Sequence, residues 1–234
     1  MPDFLLAIIN FYNDLCTEEQ DRDNFINFIE RKFTEESFRE LRSDHDFTIW
    51  LRMFVLAICR DKVESLYGKR DQNFIIYKEP NLKDSQRSRL CPIIDSKTEF
   101  FVCLGRYINN WEDFFYDICH ESVHTLNPVF DIRNNPASAL DEGVAVKFAE
   151  NMYDKYIRPY SKCSPISSPL FTRKENNYKR AYIIAEKIPD KILCNIRKEF
   201  NSFGKINDIQ RFSEITKDYL NIQEIEFICN NFEY

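Results

Sequence analysis

Residues 111–126 read WEDFFYDICHESVHTL, and the fold turns on what this stretch is. Trp111, Phe114, Phe115, Ile118, Cys119 and Val123 recur at helical spacing and make one broad apolar face. The helix is expected to end near Asn127 and Pro128, because proline disfavours helical geometry in the residue before it. The same stretch holds two of the three histidines of the chain. On a helix, His120 and His124 project from one face about one turn apart, so both can present a ring nitrogen to a single metal ion. Glu121 is turned about 100° from His120 around the axis. There it misses the metal but reaches a water on it, which is the mechanical content of H-E-x-x-H. A helix whose histidines merely bond to carbonyls would carry the same letters. The apolar back of this one and the strand expected just before it favour a metal site.

Upstream, the first seventy residues read as helices. FLLAIINFYNDL and NFINFIERKF have apolar residues at helical spacing, and FTIWLRMFVLAICRDKVESLYG is long enough for a core helix ending at Gly68. Then the rhythm changes. NFIIYK (73–78), LCPIID (90–95) and EFFVCLG (99–105) are short β-branched or aromatic runs between polar connections, as in a small sheet. Downstream, a polar loop, DIRNNPAS, leads into a second helix, ASALDEGVAVKFAENMYDKYI. RPYSKCSPISSPLFT (158–172) reads as a linker, with its prolines spaced among serines. Helical segments follow: KENNYKRAYIIAEKI, DKILCNIRKEFNSFG and a stretch from about 211 to 230. The fold class is α+β. The expected division is an N-terminal helical region (1–70), a core carrying the motif (71–158) and a C-terminal helical region (173–234), which forms one unit with the core.

Composition sets the outer bounds. The 234 residues are 44% hydrophobic and 30% charged, as in a folded globular chain. Only four glycines argue against a turn-rich all-β fold, and 21 Phe with 12 Tyr imply an interior full of rings. A net charge of −6 speaks against nucleic acid or an anionic membrane as partner. No run approaches the ~18 apolar residues of a membrane span. MPDFLLAIINFYNDLC lacks a basic start and a cleavage site, so it reads as an amphipathic helix. Eight cysteines without a CxxC pair suggest buried thiols in a reducing compartment, so the expected location is cytoplasmic.

A catalytic zinc site wants a third protein ligand and one open position. HESVH, then 17 residues, then Glu142 in LDEGVA resembles the gluzincin zinc metallopeptidases, the thermolysin-like and single-zinc aminopeptidase superfamily. The resemblance covers about residues 99–150. It implies a zincin-like core, one Zn2+ held by His120, His124 and Glu142, and Glu121 as general base. The implied activity is hydrolysis of a peptide bond in a peptide or protein substrate. Gly143 agrees with Glu142 as ligand, since a helical glycine costs about 1 kcal/mol relative to Ala and close approach to the motif helix would explain it. Asp131 and Asp141 are rival third ligands, and a carboxylate at a helix start has the plainer explanation of facing the helix dipole.

The family's oxyanion-stabilising group falls on Tyr178 or Tyr182, while His45 reads as a solvated surface residue. Asp113, Asp117 and Asp141 are the carboxylates available to support the histidines. The family's edge strand, which pairs with an extended substrate, falls on residues 99–105. A GxMEN-like strand is absent, which speaks against an aminopeptidase. EGVAVKFA also resembles the third-ligand helix of a regulatory HExxH family that cleaves or releases transcriptional repressors. The alternative is therefore a regulatory or binding protein that keeps the zinc site with little turnover.

Overall fold

A computed structural model describes residues 2–38, 40–85, 87–129, 137–171 and 176–232. The motif helix, α5 (Trp111–His124), starts where Asn110 accepts the Asp113 N–H at 2.7 Å. It stops at His124, a little before the proline, and Thr125 closes the last turn. Its apolar face is covered by the N-terminal helices α1 (Asp3–Leu15), α2 (Glu19–Lys32), α3 (Glu35–Phe38) and α4 (Asp46–Tyr67). The Trp111 ring stacks on Phe4 and Phe38, each at 5.3 Å, and Phe11 meets Phe115 edge-on at 5.8 Å. Cys59 of α4 faces Cys119 of α5 at 3.6 Å, and none of the eight cysteines is in a disulfide. Buried apolar residues from Phe4 in α1 to Ile228 near the C-terminus form one continuous cluster. The N-terminal helices therefore back the site helix.

The sheet has four strands: β1 (Ile75–Ile76), β2 (Asn81–Ser85), β3 (Arg89–Pro92) and β4 (Glu99–Gly105). β4 matches the sequence expectation in both bounds, whereas β2, NLKDS, has no apolar alternation and gave no signal. β1 and β2 run parallel to β4, with Ile75 opposite Glu99 and Asn81 opposite Cys103. β3 is antiparallel to it, Arg89 opposite Cys103 through Pro92 opposite Phe100. The Glu99 carbonyl accepts from Ile93 N–H and the next one, Phe100, from Tyr77 N–H. Successive carbonyls of a strand point to opposite sides, so β4 is flanked on both edges. This corrects the expectation that 99–105 is the edge strand. Among the described residues the outer strand on the α5 side is β3, and Pro92 suits it, since an edge tolerates a missing N–H.

α6 (Ala139–Met152) is capped by Ser138, whose hydroxyl accepts the Asp141 N–H at 3.1 Å. The helix expected through residue 157 instead widens into a π-type turn at Tyr153–Ile157. Beyond it, 158–171 is no loose tether. The Ile166 N–H donates to Asp113 at 2.8 Å, and Ser168, 1% exposed, donates to Glu150. α7 (Asn177–Glu186) and α8 (Asp190–Phe200) follow, and the expected long C-terminal stretch is broken into α9 (Ile209–Thr216) and α10 (Ile222–Cys229).

Gly143 has a different reason from the one the sequence suggested. A Cβ there would lie 2.6 Å from the Ala181 carbonyl oxygen, so the close approach is to α7, not to α5. Buried Arg197 of α8 donates to the carbonyls of Tyr67 (3.2 Å), Lys69 (2.8 Å) and Leu126 (3.3 Å), which ties the ends of α4 and α5 together. Among the described residues no helix is long and apolar enough to cross a membrane.

Candidate metal centre

His120 and His124 leave α5 one turn apart, and Glu142 reaches them from the first turn of α6. The Nε2 atoms of the two histidines are 3.3 Å apart. Glu142 Oε2 lies 3.3 Å from His120 Nε2 and 3.8 Å from His124 Nε2. Three ligand atoms from two consecutive helices thus form a small triangle, the one group among the described residues arranged to hold a metal ion.

The triangle can be tested against coordination geometry. Ligands about 2.0–2.1 Å from a tetrahedral zinc lie about 3.3–3.4 Å from one another. At right angles, as in an octahedral site, the same bond lengths bring neighbours to about 2.9 Å. The observed edges suit the tetrahedral case, and two imidazoles with one carboxylate are a donor set suited to zinc.

Supporting groups fix the histidines. Asp141 Oδ2 sits 2.9 Å from His124 Nδ1, which leaves Nε2 of that ring to face the triangle. Asp141 is thus the partner of a ligand, one of the roles open to it from the sequence. Burial alone would depress the His124 pKa, but the charges of Asp141 and Glu142 and the hydrogen bond to Asp141 outweigh it and raise the pKa to about 10. His120 is raised too, burial being outweighed by Glu142.

Glu121 projects beside the triangle, 4% exposed, and its Oε2 accepts no hydrogen bond among the described residues. Burial pushes its pKa up to about 7, against the lowering influence of the two histidines. A buried carboxylate oxygen without a partner is costly unless something else uses it. Orphaned beside convergent metal-ligating atoms, it fits a group that handles a proton.

The remaining candidates are spread out. Tyr178, on α7, has its ring 6.4 Å from that of His120 and is itself packed on Phe232 at 4.6 Å. Tyr182 is half-buried, and its charged neighbours are Glu186, Glu150 and Asp154, none of them in the triangle. His45 is exposed and caps α4, accepting the Phe47 N–H at 3.3 Å. Asp131 lies outside the described residues. Asp113 and Asp117 do not support the histidines: Asp113 accepts from Asn110 and Ile166, and Asp117 from Ser88 and Ser167. Sequence reasoning gave no signal for Ser88, Ser167 or Glu150, because each meets its partner across a long stretch of chain.

Comparison with family models, with curated proteins and with solved structures finds no match to this chain.

Proposed function

We propose that this chain is a zinc-dependent metallopeptidase of the gluzincin type, acting on a peptide or protein substrate. The observation that carries the reading is the convergence of His120 Nε2, His124 Nε2 and Glu142 Oε2 with Glu121 buried and unpartnered beside them. In this reading His120, His124 and Glu142 hold one zinc ion, and Asp141 orients His124. Zinc bound there supplies a Lewis acid that polarises a peptide carbonyl and brings the pKa of water towards ~7.

The chain's own residues do the rest. Glu121, its proton affinity raised by burial, takes a proton from the attacking water and returns it to the leaving amine. Tyr178, beside His120, is the phenol assigned to the developing oxyanion. The outer edge of β3 is the surface against which an extended substrate pairs. Cys91 of this strand feels the charge of Glu121, so the edge runs close to the proposed base.

The test separates metal from chemistry. The wild type should hold one zinc per chain, lost in the His120→Ala, His124→Ala double variant. Glu121→Gln should keep the zinc while hydrolysis of an unfolded protein substrate falls at least about 100-fold. Zinc held without measurable hydrolysis in the wild type would favour a regulatory protein with a retained site, and absence of zinc binding would remove both readings.

A further inference from the structure

α5 carries more than the motif on its polar face. Asp113, Asp117 and Glu121 follow one another at four-residue spacing, and all three are buried. Four-residue spacing sets them in a row along the helix. Asp113 Oδ1 accepts the Ile166 N–H at 2.8 Å, and Asp117 accepts from the hydroxyls of Ser88 and Ser167. Glu121 ends the row with its orphaned oxygen.

Each partner belongs to a segment bordering the site. Ser88 directly precedes the outer strand β3, and its Oγ also accepts the Gly105 N–H at 2.9 Å, at the end of β4. Ser167 lies in the 158–171 connector, 3.4 Å from Tyr107 Oη. Ile166, Ser167 and Ser168 are fastened in succession to Asp113, Asp117 and Glu150. The Tyr107 phenol, between these segments, feels both Asp117 and Glu121. Asp117 is thus the one side chain bonded to both the lead-in of β3 and the connector, one helical turn before the proposed base.

We propose that Asp117 is a positioning residue that fixes the two walls of the substrate cleft against Glu121, one through Ser88 and the other through Ser167. The proposal rests on the peptidase reading for what the cleft holds, but not for the coupling itself. A purely structural carboxylate would affect how much protein is folded. A group that sets the spacing of the walls affects how well an extended peptide is gripped.

The experiment uses the full chain loaded with zinc, with Asp117→Asn, Ser88→Ala and Ser167→Ala. Hydrogen exchange at the Gly105 and Ile166 amides reports the two walls. In Asp117→Asn both amides should lose protection with zinc retained; Ser88→Ala should release only Gly105, and Ser167→Ala only Ile166. With an unfolded peptide substrate, KM should rise about tenfold while kcat changes less than about threefold.

Unchanged protection at both amides in Asp117→Asn, or a fall in kcat with KM intact, overturns the proposal. Should Asp117→Asn fail to fold, the two serine variants decide: no wall-specific loss of protection and no rise in KM overturns it equally. A wild type that cleaves nothing sinks the peptidase reading, and the exchange measurements still decide whether Asp117 couples the walls.

Discussion

Replacing Asp141 by Asn, beside Glu142 by Gln, tests whether two carboxylates adjacent in sequence do different work. Asp141 Oδ2 lies 2.9 Å from His124 Nδ1, on the outer nitrogen of the ring, while Glu142 Oε2 faces both Nε2 atoms at 3.3 and 3.8 Å. A carboxylate on the outer nitrogen fixes the tautomer and raises the basicity of the ligating one, and its loss costs about 10–100-fold in metal affinity. Asn at 141 still accepts from Nδ1–H but brings no charge, so about tenfold is expected, or ~1.4 kcal/mol. Gln at 142 removes a ligand. Structural zinc sites bind with about 10–16 kcal/mol shared by four ligands, so one ligand carries about 3 kcal/mol, or at least 100-fold. Competition against a chromogenic chelator at fixed neutral pH measures both. Asp141→Asn weakening zinc as much as Glu142→Gln would show that the triangle has been misassigned.

Zinc uptake should also release protons. With the His124 pKa raised to about 10 and that of His120 raised as well, the zinc-free site is protonated at neutral pH. Binding must expel at least one proton, so apparent affinity falls about tenfold per pH unit of acidification for each proton displaced. Calorimetry in buffers of different ionisation heat reads the number, and zero refutes the electrostatic account. Gly143→Ala should destabilise the protein although Ala is the better helix former by about 1 kcal/mol. The added methyl would sit 2.6 Å from the Ala181 oxygen and 2.9 Å from its carbonyl carbon, both backbone atoms. Overpacking of this kind costs about 1–3 kcal/mol. A net loss of about 1 kcal/mol should appear as a lower urea midpoint, and an unchanged or higher midpoint would remove the close contact as the reason for this glycine.

How much was legible follows from how far apart the interacting residues lie. His120 and His124 are brought together by the helix itself, and spacing alone suffices. Glu142 was legible because it opens the next helix, whose start is marked by Ser138 and the acidic first turn. The strand 99–105 has an apolar pattern and was read correctly, whereas β2 is held by backbone pairing to β4 and its side chains announce nothing. The edge of the sheet was misplaced because edge or centre is a property of neighbours, and β3 folds back onto β4 only through the turn after Pro92. The prolines and serines of the connector suggested a tether, yet its donors are consumed by Asp113, Asp117 and Glu150, 53 residues away in the case of Ile166 and Asp113. Arg197 likewise reaches carbonyls 128 and 130 residues upstream, a contact no local pattern encodes.

The two faces of α5 depend on each other. One buries Trp111, Phe114 and Phe115 beneath α1, α3 and α4; the other carries Asp113, Asp117 and Glu121. A large aromatic ring buries 150–250 Å², about 4–6 kcal/mol at 25 cal/mol per Å². A buried ionised carboxylate costs several kcal/mol unless hydrogen bonds compensate it. Asp113 and Asp117 are compensated by donors from the cap, the connector and Ser88, so the row is costly mainly at its end, at Glu121. Protonation near pH 7 lowers that cost further, since a neutral carboxyl is cheaper to bury than a carboxylate. A helix held this firmly on its apolar side can keep one carboxyl oxygen without a protein partner, and the site chemistry needs that freedom at Glu121 and nowhere else in the row.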